Sequence, residues 1–63
     1  MITDINNNPV SIGDIVKFHT VCFWNGCSGQ VSRLEDRFEE LVIVTMPDGK
    51  TKMAFNPNEV EVK

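Results

Sequence analysis

The stretch that decides the fold is LVIVTMPDGKTKMAF, residues 41–55. Its first part, Leu41–Met46, is rich in β-branched residues, which favour strands. Pro47-Asp48-Gly49 then supplies turn chemistry, because Pro pre-sets φ and Gly accepts a positive φ. After the turn, Met53 and Phe55 recur with the period of two residues that a strand with one inward face requires. The stretch therefore predicts a β-hairpin.

The same period continues on both sides of this hairpin. Val16 and Phe18 would share the inner face of an earlier strand, and Val60 and Val62 alternate with charged residues at the end of the chain. No window shows a sustained apolar period of 3.6 residues, so we expect no α-helix. The predicted strands are 14–22, 30–34, 41–46, 50–55 and a short one at 60–62, with a single 3₁₀ turn at 56–58.

Five short strands in 63 residues predict a single all-β domain over 1–63. The chain is too short for an immunoglobulin-type sandwich of about 100 residues, and closing a barrel removes exposed strand edges. We therefore predict a five-stranded barrel with a 3₁₀ turn before the last strand, preceded by an N-terminal arm or short strand at 1–8. The predicted core consists of Val16, Phe18, Val31, Leu34, Val42, Val44, Met46, Met53, Phe55, Val60 and Val62.

Composition excludes some function classes and disfavours others. The formal net charge is −3 and the six Lys and Arg residues are scattered, whereas nucleic-acid binders carry a concentrated basic face. A strip of Lys17, Arg33, Lys50 and Lys52 is the remaining route to nucleic-acid binding. No apolar run approaches the length of a membrane span, and the first eight residues do not resemble a signal peptide, so we expect a cytoplasmic protein without membrane contact.

Five short motifs resemble those of SH3-like barrels, in their KOW and Tudor-like versions. They are Gly13-Asp14-Ile15-Val16-Lys17-Phe18, Gly26-x-x-Gly29-x-Val31, Val42-x-Val44, Asp48-Gly49 and Glu59-Val60-Glu61-Val62. The Asn-rich opening, Pro9-Val10 and GDIVKF are also similar to small phage-encoded barrel proteins of the YopX type. These resemblances imply an SH3-like barrel, encoded by a phage and acting in the host cytoplasm. KOW segments tend to carry basic residues in the loop before the second strand, and residues 23–28 have none, so the resemblance does not extend to RNA binding.

Few groupings offer metal or catalytic chemistry. His19, Cys22 and Cys27 are three possible zinc ligands, but the sequence has no fourth His or Cys, and His19 and Cys22 have opposite strand parity. Cys22 and Cys27 could also form a disulfide, although a cytoplasmic location favours thiols. With one His and no motif that positions a base, we expect no cofactor, no metal and no enzymatic activity.

The remaining candidates are partner-binding residues. Phe23, Trp24 and Asn25 lie in the loop that lines the ligand site of SH3-like folds, and large aromatic residues often dominate interfaces. We expect Phe38, alone in an acidic loop, to fold back over the barrel end, the alternative being an interface anchor. Leu41 and Ile43 must point outward if Val42 and Val44 fill the core. Together with Ile15, Leu41 and Ile43 would form a partner-binding patch on the outer face. The alternative is that the N-terminal arm covers them through Ile2 and Ile5.

These features favour a small non-catalytic binding module that acts as a protein–protein adaptor or inhibitor. Two alternatives remain open at this point. One is a nucleic-acid accessory factor of the KOW-like type, and the other is a structural subunit that docks into a larger assembly.

Overall fold

The computed structural model describes residues 1–20 and 26–63. Five antiparallel strands form one sheet: β1 Ile15–Phe18, β2 Ser28–Glu35, β3 Leu41–Thr45, β4 Lys52–Phe55 and β5 Val60–Val62. The strand order is β4-β3-β2-β1-β5, so the last strand returns to pair with the first. A 3₁₀ turn, Pro57–Glu59, leads directly into β5. The predicted all-β class, the five strands and the turn before the last strand are confirmed.

The two ends of the sheet order, β4 and β5, are not joined by a ladder within the described residues, so the sheet is not closed into a complete barrel. The outer edge of β5 is taken instead by the N-terminal arm, residues 1–10. The backbone N–H of Ile5 donates to the carbonyl of Val60 at 2.9 Å, and the N–H of Val62 donates to the Asp4 carboxylate at 2.7 Å. The arm therefore protects an edge that closure was expected to remove.

The core follows the predicted alternation. Eight of the eleven predicted core residues are buried, and the other three, Leu34, Met53 and Val62, are half-buried against the same cluster. The rings of Phe18 and Phe55 stack at its centre with centroids 4.5 Å apart. Among the described residues, two buried apolar side chains were not predicted, Ile2 and Val10. Both belong to the arm, which is thus part of the core rather than an appendage.

Gly29 allows β1, β2 and β3 to approach closely. A Cβ built on this residue would lie 2.5 Å from Cγ1 of Val44 and 2.6 Å from the carbonyl oxygen of Thr45. Non-bonded atoms do not approach so closely, so any side chain at this position would clash with β3.

A β-bulge in β2 changes which side chains face outward. Val31 pairs with Val44, but the next pair is Arg33 with Ile43, so Ser32 is an extra residue without an opposite number. Its hydroxyl donates to the carbonyl of Ile43 at 3.2 Å. Beyond the bulge the parity is reversed, and Arg33 points outward although it lies two residues after the buried Val31.

The arm is fixed by one buried carboxylate. Asp4 is 6% exposed, and its two oxygens accept hydrogen bonds from the backbone N–H groups of Asn6, Asn8 and Val62 at 2.7–2.9 Å. Burial opposes ionisation of this group, but the three N–H donors outweigh burial and hold its pKa below the ordinary value. The Asp4 carboxylate therefore ties the Asn-rich turn and β5 together.

Among the described residues, no helix is long and apolar enough to span a membrane.

Candidate functional site

A groove lies on the outer face of β2 and β3, where the connection between them leaves the sheet. It encloses about 420 Å³ and is called the β2–β3 groove below. The residues that line it are Arg33, Glu35, Arg37, Phe38, Glu39, Leu41 and Ile43.

The strand register explains why these side chains meet. Val42 and Val44 of β3 are fully buried, so Leu41 and Ile43 point to the opposite face, as predicted, and both are half-buried there. Leu41 lies opposite Glu35 and Ile43 lies opposite Arg33. The apolar floor of the groove therefore comes from β3, and one charged wall comes from the part of β2 that the bulge turns outward.

Phe38 is the most exposed aromatic side chain of the described chain. It is 96% exposed, so the prediction that it folds back over the barrel end is wrong. The reason is the position of the ladder's last pair, Glu35 with Leu41. Residues 36–40 project beyond this pair, all five are exposed, and Phe38 lies at the middle of the connection. Phe38 lines the β2–β3 groove together with Leu41 and Ile43.

Two arginines and two glutamates line the groove. The guanidinium of Arg33 pairs with the Glu35 carboxylate at 3.0 Å, so these two charges largely offset each other. The connection itself carries three carboxylates, on Asp36, Glu39 and Glu40, against the single cation of Arg37. Of these four residues only Arg37 and Glu39 line the groove, so its four charged side chains carry no net formal charge.

The arm does not cover this groove. Its bonds go to β5, which is separated from β3 by two strands in the sheet order, and Ile2 is buried in the core while Ile5 is 45% exposed. The alternative in which the arm covers Leu41 and Ile43 through Ile2 and Ile5 is thus wrong, because the arm is hydrogen-bonded to β5 at the other edge of the sheet.

Ile15, the third outward aliphatic residue, is 45% exposed but is not part of the groove. It lies opposite Gln30 on β2, and Gln30 lies opposite Thr45 on β3. Polar side chains therefore separate Ile15 from Ile43, and the predicted patch of three aliphatic residues is reduced to Leu41 and Ile43.

Three predicted partner-binding residues, Phe23, Trp24 and Asn25, lie outside the described residues, as does Cys22. On either side of that segment, Phe18 and Gly26 are hydrogen-bonded, with the Gly26 N–H donating to the Phe18 carbonyl at 3.0 Å. Cys27, which follows, is half-buried against the core.

The four basic residues considered for nucleic-acid binding are not gathered into a strip. Lys17 on β1 lies opposite Glu61 on β5, and Arg33 is paired with Glu35. Lys52 is the first residue of β4, and Lys50 lies in the bend that precedes this strand.

His19 forms a polar contact that the sequence did not suggest. Its Nε2 lies 2.6 Å from Oε1 of Glu61, and the side-chain amide of Asn6 donates to Oε2 of the same carboxylate at 3.2 Å. The hydrogen bond with His19 holds the pKa of Glu61 below its ordinary value. Within residues 1–20 and 26–63, no three His, Cys, Asp or Glu side chains are close enough to hold a metal ion. The contact links the arm, β1 and β5.

In comparisons with protein-family models, curated proteins and solved structures, nothing matches this chain.

Proposed function

We propose that this chain is a small non-catalytic binding module whose partner is a protein, and that the β2–β3 groove is its contact surface. The observation that carries the proposal is the exposure of Phe38, at 96%, beside the apolar floor formed by Leu41 and Ile43. Fully burying a phenylalanine side chain stabilises a complex by about 1.5–3 kcal/mol. Aromatic residues are also enriched in the buried centres of interfaces.

The β2–β3 groove offers what such a centre needs. It combines an aromatic ring that water surrounds on the free protein with aliphatic side chains that a partner can cover, and charged groups form its rim. The sequence resemblance to phage-encoded barrels supports a role as an adaptor or inhibitor in a host cytoplasm. The predicted loop residues Phe23, Trp24 and Asn25 belong to the same proposal as a second contact.

The test compares three forms of the immobilised chain in lysate of the host cell. Phe38→Ala removes the proposed anchor, and Ile12→Ala removes another exposed aliphatic side chain, 66% exposed, that does not line the groove. We expect the wild type and Ile12→Ala to retain the same proteins and Phe38→Ala to lose them, with a loss of about 2 kcal/mol or more of binding.

A nuclease-treated sample separates this proposal from the nucleic-acid alternative. Retention that survives nuclease supports a protein partner. Retention that nuclease abolishes, or that Phe38→Ala leaves unchanged, would contradict the proposal.

A further inference from the structure

The β2–β3 groove presents an exposed aromatic ring and an apolar floor on one surface patch. The Phe38 side chain is 96% exposed, whereas Leu41 and Ile43, which line the groove with it, are half-buried and keep part of their surface in water. The ring of one copy of the chain can therefore cover the floor of another copy. A two-fold symmetric contact requires this combination, because the same patch must supply both halves of the interface.

The charges of the groove are complementary to themselves in the same way. Arg33 and Glu35 are paired with each other at 3.0 Å, so Arg37 and Glu39 are the groove charges for which no ion pair is found among residues 1–20 and 26–63. They flank Phe38 directly and have opposite signs. A rotation of 180° about an axis near Phe38 exchanges positions 37 and 39, so the cation of each copy meets the anion of the other.

An excess of either sign in the groove would oppose this arrangement. Two-fold rotation places like charges opposite each other wherever one sign predominates, and such contacts cost binding free energy. The four charged side chains of the groove have no net formal charge, although the whole chain carries −3. Asp36 and Glu40 do not line the groove and are exposed, so water and salt weaken the repulsion between them across the interface. The groove is thus suited to a second copy of the chain.

We infer that, in the absence of its proposed protein partner, the β2–β3 groove binds a second copy of this chain in a two-fold symmetric dimer. Phe38 of each copy packs on Leu41 and Ile43 of the other, and Arg37 of each copy pairs with Glu39 of the other. The inference goes beyond the proposed function, because the partner must displace the second copy from the groove.

Sedimentation equilibrium of the full chain measures the association directly. We expect the average mass to rise from 7.1 kDa toward twice this value as the concentration is raised from about 1 μM to about 1 mM. Phe38→Ala should raise the dissociation constant of the dimer about 30-fold or more. Ile12→Ala, at an exposed aliphatic position that does not line the groove, should leave it unchanged.

Charge reversals at positions 37 and 39 test the symmetric pairing. Arg37→Glu and Glu39→Arg each place like charges opposite each other, so either variant alone should dimerise at least about tenfold more weakly than the wild type. An equimolar mixture of the two variants should form a heterodimer about as tight as the wild-type dimer, because every contact again joins opposite charges. Glu40→Arg is the matched control. It changes the net charge as Glu39→Arg does, at an exposed position outside the groove, and should not weaken the dimer.

Three results would overturn the inference. They are a wild type that stays at 7.1 kDa up to about 1 mM, a dimer that Phe38→Ala leaves unchanged, and a mixture of the two charge variants that associates no more tightly than either alone. All substituted residues are exposed, and a circular-dichroism melt of each variant checks that the fold is intact. None of these results decides the proposed function, which depends on whether Phe38 is needed for retention of proteins from lysate.

Discussion

The N-terminal arm and the connection at residues 36–40 are both short irregular segments, yet they use their side chains in opposite ways. The arm buries Ile2 and Val10. It also buries Asp4, which is 6% exposed and whose carboxylate accepts hydrogen bonds from backbone N–H groups. The connection leaves all five of its residues exposed, including Phe38 at 96%. One segment contributes to the stability of the fold, whereas the other contributes almost nothing to it and remains available for a partner.

This difference follows from where each segment can find hydrogen-bond partners. The arm runs along β5, whose outer edge offers the N–H of Val62 and the carbonyl of Val60. The 36–40 connection leaves the sheet beyond the last pair of the β2–β3 ladder and pairs with no strand among residues 1–20 and 26–63. A strand edge therefore organises the arm, and its absence leaves Phe38 in water.

The largest expected effect comes from deleting residues 2–5. The deletion removes the buried Ile2, whose loss alone should cost about 2–5 kcal/mol, and the Asp4 carboxylate, whose charged hydrogen bonds contribute about 1.5–3 kcal/mol each. A core of this size rarely supplies more than about 3–5 kcal/mol, so we expect no cooperative unfolding transition in a thermal melt.

The matched control replaces Asp36–Glu39 with an equal number of serines. Because these residues are exposed, this variant should melt cooperatively and close to the wild type. A deletion variant that melts within a few degrees of the wild type would show that the arm is not part of the core.

Much of this fold could be predicted from the sequence because its strands are amphipathic with a period of two. Val42 and Val44 are predicted and found inward, and Leu41 and Ile43 outward. The arm could not be predicted in the same way. Ile2 and Val10 belong to no periodic pattern, and the burial of Asp4 depends on an N–H donor 58 residues away. A signal for Asp4 was nevertheless present, since an Asp before Asn6-Asn7-Asn8 favours a turn closed by its own side chain.

The second effect concerns Asp4→Asn. Both Asp4 oxygens accept backbone N–H groups, two on Oδ1 and one on Oδ2, whereas an asparagine has only one oxygen. At least one buried N–H would face the amide NH₂, and we expect a loss of about 2 kcal/mol in the free energy of unfolding. Asp36→Asn, at an exposed position of the connection, should change it by less than about 0.5 kcal/mol. Chemical denaturation measures both, and equal effects would contradict the contrast between the two segments.

The Asp4 carboxylate should also make the free energy of unfolding depend on pH, and we expect this effect to be smaller than that of Asp4→Asn. Because the pKa of Asp4 is lower in the folded protein, the unfolded chain binds the proton more readily, and stability falls as the pH falls. The contribution is fully present above the ordinary aspartate value of about 3.9 and is lost progressively below it. The free energy of unfolding of the wild type should therefore decrease more steeply below about pH 4.5 than that of Asp4→Asn.

Asp48 and Glu61 also have lowered pKa values, but they are present in both proteins, so the difference between the two curves reports on Asp4. Parallel curves would mean that the three N–H donors do not stabilise the ionised form.

The candidate groove could be predicted only in part. The apolar residues at both parities of β3 indicated Leu41 and Ile43, but the bulge at Ser32 was not predicted. Val31 and Leu34 have opposite parity and were both predicted to point inward, which an unbroken strand does not allow. That conflict was the signal in the sequence that β2 contains a bulge. Because of the bulge, the side chains of Arg33 and Glu35 point outward and line the groove.

The smallest expected effect on stability is that of Phe38→Ala, and it tests the comparison most sharply. Because the Phe38 side chain is 96% exposed, its removal breaks few contacts within the protein. The free energy of unfolding should therefore change by less than about 0.5 kcal/mol. Phe55→Ala is the control, because Phe55 is 5% exposed and stacks on Phe18, and its loss should cost about 3–5 kcal/mol. Chemical denaturation of both variants beside the wild type measures the difference. If Phe38→Ala instead costs about 2 kcal/mol or more, the ring packs against the protein in solution, as its isolation in an acidic loop suggested from the sequence. The connection would then stabilise the fold as the arm does, and the groove would lose the anchor on which its proposed function depends.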